Sequence, residues 1–322
     1  MNMPLFATLG TVTPAVPAPP PLAELRKRPH WSFSRINALV NYCSLAWAFR
    51  YIYRVGPRFT PVSLVFGSAF HSALAFHATR RLHGQEVTVS DCQEVFADLL
   101  TENCRREGPP VRFGEGGTVD ILIAQGQRML ATYLASLDPE EEIEAVSMPF
   151  SVPLVDASGT RLDKPLIGEY DLVVRRGGIR TIVDWKTSAR RWPKGKAATD
   201  LQATCYLWAE QHLRHTGSQF RFDVVTKTRV PACERHHATR APDDFVRLGE
   251  LVRVLERIVT NECFLPQTGS WECANCPCAS ACESWHRERA RIFAGTGRPR
   301  AAYVSEWGTP TPRREDAPMA SS

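Results

Sequence analysis

The chain has 322 residues, 43% hydrophobic and 23% charged, with 39 Lys or Arg against 34 Asp or Glu. Those totals exclude a sequence too polar to bury a core and fit one large domain or two ordinary ones. The net charge of +5 is compatible with a nucleic-acid partner without being evidence for one. The cations are unevenly spread, with eight Lys or Arg and one acid, Asp184, between Arg175 and Lys196. No apolar run is read as long enough to span a bilayer and no leader pattern opens the chain, so the expectation is a cytoplasmic protein without a membrane partner. Ten cysteines are many for that compartment, and four fall between Cys273 and Cys282, which favours metal or cluster binding over disulfides.

In chain order, residues 1–30 are Pro-rich without an apolar period and are expected to be disordered. One helix is expected from about Trp31 to Arg54, capped by Ser32 or Ser34, with Ile36, Leu39, Val40 and Cys43 on one stripe. A second should span Val62–Leu82, and two more Asp91–Arg106 and Thr118–Leu137. Strand-like sequence follows at Ile143–Leu154, then a turn-rich connection, then a hairpin across Leu166–Ser188. Helices at Asp200–His215 and Asp243–Glu262 flank a strand at Phe220–Thr228. A Cys-rich segment and a short helix near Trp285 close an ordered region spanning 31–290, with 291–322 an expected disordered tail. The element order predicts an α/β fold with a mixed central sheet flanked by helices, an N-terminal helical part and a C-terminal Cys-rich segment.

The hairpin carries the first chemical signal. Gly177-Gly178 between β-branched runs marks a tight turn with positive φ at its centre. That turn sets Asp171 opposite Asp184 and puts Glu169, Asp171, Asp184 and Lys186 on one face. Facing carboxylates repel and weaken a sheet, and a hard divalent cation would relieve them. A solvated face tolerating the charges is the alternative. Lys186 fits orientation of water or stabilisation of charge on a phosphodiester, and equally a plain salt bridge to Glu169 or Asp184. His71, one turn after Gly67, reads as a metal ligand or a core histidine. Gln202 and Tyr206, spaced i,i+4, share a helix face and alone would be unremarkable.

Together and in this order, Gly67-x3-His71, Gly168-x2-Asp171, Asp184-x-Lys186 and Gln202-x3-Tyr206 resemble the RecB/AddB-like exonuclease branch of the PD-(D/E)XK nuclease superfamily, which includes CRISPR-associated RecB-like exonucleases. The resemblance covers roughly Trp31 to Trp285. It implies a restriction-endonuclease-like core in which His71, Asp171, Asp184 and the Trp185 carbonyl bind Mg2+ or Mn2+. It also implies a catalytic Lys186, and Gln202 and Tyr206 supporting the site and touching DNA. Cys43 with the late trio Cys273, Cys276 and Cys282 matches the arrangement that holds a 4Fe–4S cluster in related members. Cys278 departs from the trio and leaves open a local Zn2+ site of Cys273, Cys276, Cys278 and Cys282. The remaining cysteines read as scattered core or surface residues.

The basic loop Arg190–Lys196, with Trp192 inside it, suits phosphate gripping and base stacking, or else is a mobile solvated loop. No phosphate loop, H-E-x-x-H or G-x-S-x-G motif is present, so no ATP motor is expected in this chain. The expected function is a metal-dependent DNA nuclease, an exonuclease on single strands or duplex ends, serving repair, recombination, or phage or CRISPR-type processing. DNA is the expected partner, with a helicase or recombination/CRISPR protein beside it. The alternative is a non-catalytic or partner-dependent DNA-binding subunit retaining the fold.

Overall fold

The computed structural model describes residues 20–267, apart from 214 and 216, and residues 273–293. The expected disordered arm therefore lies outside the described residues except for 20–30, where Leu22–Leu25 forms one helical turn (α1) and His30 is buried. The expected tail lies outside them beyond 293.

Helices α2 (Phe33–Asn41) and α3 (Ser44–Tyr51) replace the single expected helix. Ser32 caps α2 by accepting the Arg35 N–H, but Tyr42 and Cys43 are extended, so the chain turns between them. Cys43 thus sits at a corner instead of on a helix stripe. A two-residue strand β1 (Thr60–Pro61) leads into α4 (Val62–Leu82). By length and composition α4 is apolar enough to cross a membrane, which corrects the expectation that no run reaches that length. Its apolar side chains, Phe66, Ala69, Phe70 and Leu74 among them, are packed inside the protein. Next come α5 (Val89–Arg105), β2 (Val111–Arg112, parallel to β1) and α6 (Val119–Ala135), with Thr88 and Thr118 as N-caps. Gly126 of α6 is required by close packing, since a Cβ there would fall 2.1 Å from the Phe96 ring of α5.

The central sheet follows: β3 (Glu142–Val152), β4 (Leu166–Arg176), β5 (Ile179–Ser188), β6 (Gln219–Thr226) and β7 (Cys233–Ala238). Its order is β3-β4-β5-β6-β7, antiparallel except for the parallel β5–β6 pair. The parallel pair needs a crossover, supplied by α7 (Lys196–Thr199) and α8 (Leu201–His212). β7 has no counterpart among the expected strands. Its sequence, CERHHA, is too polar to alternate, as suits the edge of a sheet. Helices α9 (Pro242–Thr260) and α10 (Ala279–Phe293) complete the chain.

The sheet separates two cores. On one side, α2, α3, α8 and α9 cover Tyr170, Val173, Ile182, Phe220, Phe222 and Val224. On the other, α4, α5 and α6 cover Leu172, Val174, Val183, Trp185 and Val225. The mixed α/β architecture is the expected one.

The hairpin register is also as expected. Gly177 and Gly178 have φ of 54° and 82°, and Leu172 pairs with Val183 and Arg176 with Ile179. That ladder ends at Leu172–Val183, one pair short of the two aspartates. There β4 changes sides: Tyr170 packs on the α8 core, and so does Val173, three residues on. β3 does the same at Ser147, with Val146 against the α4 core and Met148 against the other. Ser147 has φ of 48°, and no ladder pair joins it to Asp171, although Val146–Leu172 and Met148–Tyr170 flank it in unbroken register. Two strands thus flip together around Asp171.

Candidate active site at the break in the β4–β5 ladder

The splay leaves the Trp185 N–H without a β4 backbone partner, and it donates to Asp171 Oδ2 at 2.9 Å. The same oxygen lies 3.1 Å from His71 Nδ1, brought from α4 across the sheet face. Because Asp171 sits at the flip, it meets groups from both layers. Asp184 and Lys186 project toward α8, where Gln202 Nε2 donates to Asp184 Oδ1 at 2.5 Å and Lys186 Nζ lies 2.5 Å from Asp184 Oδ2. Four of the expected residues, His71, Asp171, Asp184 and Lys186, therefore form one electrostatic group, with Gln202 bracing it.

Glu169 stands on the other side of Tyr170 from Asp171 in sequence; burial, and then the Asp171 charge, raise its carboxyl, and its carbonyl accepts from Tyr206 Oη at 3.0 Å. Tyr206 is also ringed by Phe150, Tyr170 and Phe220. Both Gln202 and Tyr206 are buried and support the strands. Gly168 earns its position by packing: a Cβ would lie 2.4 Å from the Phe150 ring. Gly67 differs, for a Cβ there would meet no atom within 4 Å, so no backbone approaches it.

Burial pushes the Asp184 carboxyl up to about 6, against the pull of Lys186, with the Asp171 charge adding to the rise. Burial acts on Asp171 in the same sense, but His71, Lys186 and the Trp185 N–H outweigh it and hold that carboxyl below its ordinary value. His71 and Lys186 are both raised, burial being overcome by the carboxylates. Each of the three keeps an open side: the His71, Asp171 and Lys186 side chains are 33%, 20% and 30% exposed.

Among the described residues no three His, Cys, Asp or Glu side chains are gathered closely enough to cage a metal as they stand. The donor set still fits one. Asp184 Oδ2 is buried, and its one partner is the Lys186 ammonium at 2.5 Å, which a cation could replace. With an imidazole nitrogen and two carboxylates around it, the site offers hard ligands suited to magnesium or manganese.

Sequence reasoning missed the support behind the site. Trp185 Nε1 donates to Tyr133 Oη at 2.7 Å, and Tyr133 donates to Asp223 Oδ2 at 3.1 Å. Arg221 Nε donates to Asp223 Oδ1 at 2.8 Å and its guanidinium reaches Glu141 at 2.5 Å. Buried Tyr and Asp on separated elements give no periodic signal, although an Arg-x-Asp pair inside an apolar strand was a visible clue.

The basic loop is partly engaged. Trp192 packs on Phe222 and His236 with ring centres 5.0 and 5.5 Å apart, and Lys196 lies 3.9 Å over its ring. Arg191 pairs with Glu234 at 3.2 Å. The expected free aromatic for base stacking is thus turned inward.

At the far side, Cys43 comes to the C-terminal thiols. Cys43 Sγ accepts the Gln267 N–H at 3.4 Å, and Cys273 Sγ donates to the Gln267 carbonyl at 3.2 Å. The free thiols of Cys276 and Cys278 share a hydrogen bond, and the Cys282 thiol is raised by burial and by the neighbouring Cys43, Cys276 and Cys273.

A family model for the PD-(D/E)XK nuclease superfamily matches residues 30–283. The chain belongs to that superfamily. No curated protein matches this PD-(D/E)XK chain in sequence. Among solved structures it is similar to a protein from Eubacterium rectale provisionally described as an exonuclease, at 14% identity and a TM-score of 0.43, over 71% of this chain and 80% of that one. It is also similar to SSO0001, at 14% identity and a TM-score of 0.30, over 70% and 86%. Both likenesses are too distant to bear on function.

Proposed function

We propose that this PD-(D/E)XK protein is a divalent-metal-dependent deoxyribonuclease of the RecB/AddB-like branch, acting as an exonuclease on single strands or duplex ends. The observation that carries the reading is the meeting of His71, Asp171, Asp184 and Lys186 where the β4–β5 ladder parts. His71, Asp171 and Asp184 would hold Mg2+ or Mn2+, which when bound polarises the scissile phosphodiester. Lys186 supplies positive charge beside the phosphate oxygens and orients the attacking water. The Trp185 N–H aims Asp171, Gln202 aims Asp184, and Tyr206 fixes the β4 backbone at Glu169. A non-catalytic or partner-dependent DNA-binding subunit is the rival, and a helicase or recombination/CRISPR protein is the kind of partner it would need. Repair, recombination, or phage or CRISPR-type processing is the proposed setting.

The test is degradation of labelled DNA with magnesium or manganese across pH. The pH response has a definite sign. Asp184, at about 6, must be ionised and His71, raised, must be neutral before a cation is welcome. Metal affinity therefore grows as pH rises, and the divalent concentration for half-maximal cleavage should climb about ten- to hundredfold for each pH unit below about 6. Cleavage indifferent to divalent ions sinks the metal-dependent reading, and no cleavage under any condition sinks the enzyme reading.

The cysteines are proposed to hold a 4Fe–4S cluster through Cys43, Cys273, Cys276 and Cys282, closing the N-terminal corner onto the C-terminal segment. The approach of Cys43 to Gln267 and Cys273 supports this clasp. The hydrogen bond between Cys276 and Cys278 favours a second reading, Zn2+ on Cys273, Cys276, Cys278 and Cys282. Anaerobically purified protein should absorb near roughly 400 nm and lose that band in Cys43→Ser. A colourless, zinc-containing protein indifferent to Cys43→Ser establishes the alternative.

A further inference from the structure

Lys227 is the cation near the site that the proposed chemistry leaves unused. It follows β6 directly, and its N–H donates to the Ser188 carbonyl at the end of β5 at 2.7 Å. Its own carbonyl accepts from Gln125 Nε2 of α6 at 2.9 Å, so its backbone is pinned from two sides. The side chain crosses to α4, where Nζ stands 4.0 Å over the Phe66 ring.

Two cations near this end of the sheet have partners of their own, Lys186 in Asp184 and Arg191 in Glu234. Lys227 forms no ion pair with any described carboxylate, and burial alone pulls its ammonium down to about 8. A half-buried charge without a counter-ion costs stability, and one ring face offsets only part of that. Such a group is completed by an anion from outside the chain.

The path to it is bare. In the β5–β6 register Lys186 faces Val224, which puts Lys227 three residues, ~10 Å, farther along the sheet, and its partner Phe66 precedes His71 by five residues on α4. Between them Gly67 shares the His71 face and leaves open space where a side chain would stand. His71 itself meets the Trp185 ring edge-on at 6.0 Å, which marks the other wall.

We propose that Lys227 binds the phosphate adjacent to the scissile one, in single-stranded DNA lying along the Gly67 face of α4. The inference rests on the nuclease reading and names the substrate contact beside its metal site. Any base sequence suffices, because a lysine on a phosphate reads charge and not bases.

The experiment measures binding of a fluorescein-labelled oligothymidylate to the full-length protein at several salt concentrations, with calcium replacing magnesium, and cleavage in parallel with magnesium or manganese. Lys227→Met keeps the stem against Phe66. It should weaken binding about five- to tenfold and lower the slope of log affinity against log salt by about 0.7, the share of one single-strand phosphate. Lys227→Arg should recover the slope. The thermal midpoint of Lys227→Met should match or exceed that of wild type, since an unpaired buried charge is removed. Wild-type cleavage with an unchanged affinity and slope in Lys227→Met overturns this proposal alone. So does a lowered midpoint in both Lys227→Met and Lys227→Gln with an unchanged slope, which would make the lysine structural. A wild-type protein that neither binds nor cuts DNA overturns the nuclease reading and this contact together.

Discussion

Lys186→Met is expected to lower divalent-dependent DNA cleavage by about 10²–10³-fold while leaving DNA binding largely intact. The methionine keeps the length of the stem and removes only the ammonium that stands 2.5 Å from Asp184 Oδ2. In the native protein that ammonium is charged well beyond neutral pH, because Asp184 and Asp171 raise it against the opposing effect of burial. In the proposed reaction its loss would remove the positive charge that Lys186 offers the phosphate. It also leaves the buried Asp184 carboxylate with Gln202 as its one hydrogen-bonding support, so the carboxyl should rise above its present value of about 6. Cleavage by Lys186→Met at the wild-type rate would return the lysine to a structural salt bridge. Lys186→Arg should not restore full activity, since a planar fork does not place its charge where a tetrahedral ammonium does.

Arg221→Met is expected to destabilise the fold by about 3–5 kcal/mol, read as a shift of the urea midpoint at constant slope. Asp223 is fully buried, and burial raises its carboxyl even with Arg221 donating to both oxygens. Removing the guanidinium leaves that carboxylate and Glu141 facing one another with Arg235, 3.9 Å away, as the remaining cation on Asp223. The double variant Arg221→Met, Asp223→Leu should regain part of the loss, because the fully buried charge goes with its partner and only the less buried Glu141 keeps an unpaired carboxylate. Equal stability of Arg221→Met and wild type would show that the pair contributes nothing. The expected functional echo is weaker divalent binding in the single variant. Asp223 holds Tyr133, Tyr133 holds the Trp185 indole, and the Trp185 backbone aims Asp171.

These two residues mark the difference between what local pattern carries and what it does not. Lys186 was identifiable because it stands two residues after an acid on a strand whose alternation is fixed by period two. Arg221 and Asp223 share that period on β6, but their partners Glu141 and Tyr133 lie roughly 80 and 90 residues away along the chain. No spacing rule links residues so far apart. The same holds for Lys227, an ordinary lysine in sequence whose missing counter-ion is a property of everything packed around it.

The amino-acid sequence by itself determined the hairpin and its register, because two adjacent glycines admit a turn with positive φ that few other pairs can form. It determined the order of the acids, the lysine and the Gln-x3-Tyr helix face, and with them the superfamily. Only the tertiary structure decided that the ladder stops one pair before Asp171 and Asp184 would meet as neighbours. The reason is a joint flip of β3 and β4 at Ser147 and Asp171, which serves two cores on opposite sides of one sheet. Tertiary packing also decided that His71 from α4 reaches Asp171, that Trp192 turns inward, and that Cys43 leaves its helix for the C-terminal thiols. Each of those outcomes depends on which distant surfaces bury one another, and backbone periodicity carries no record of that.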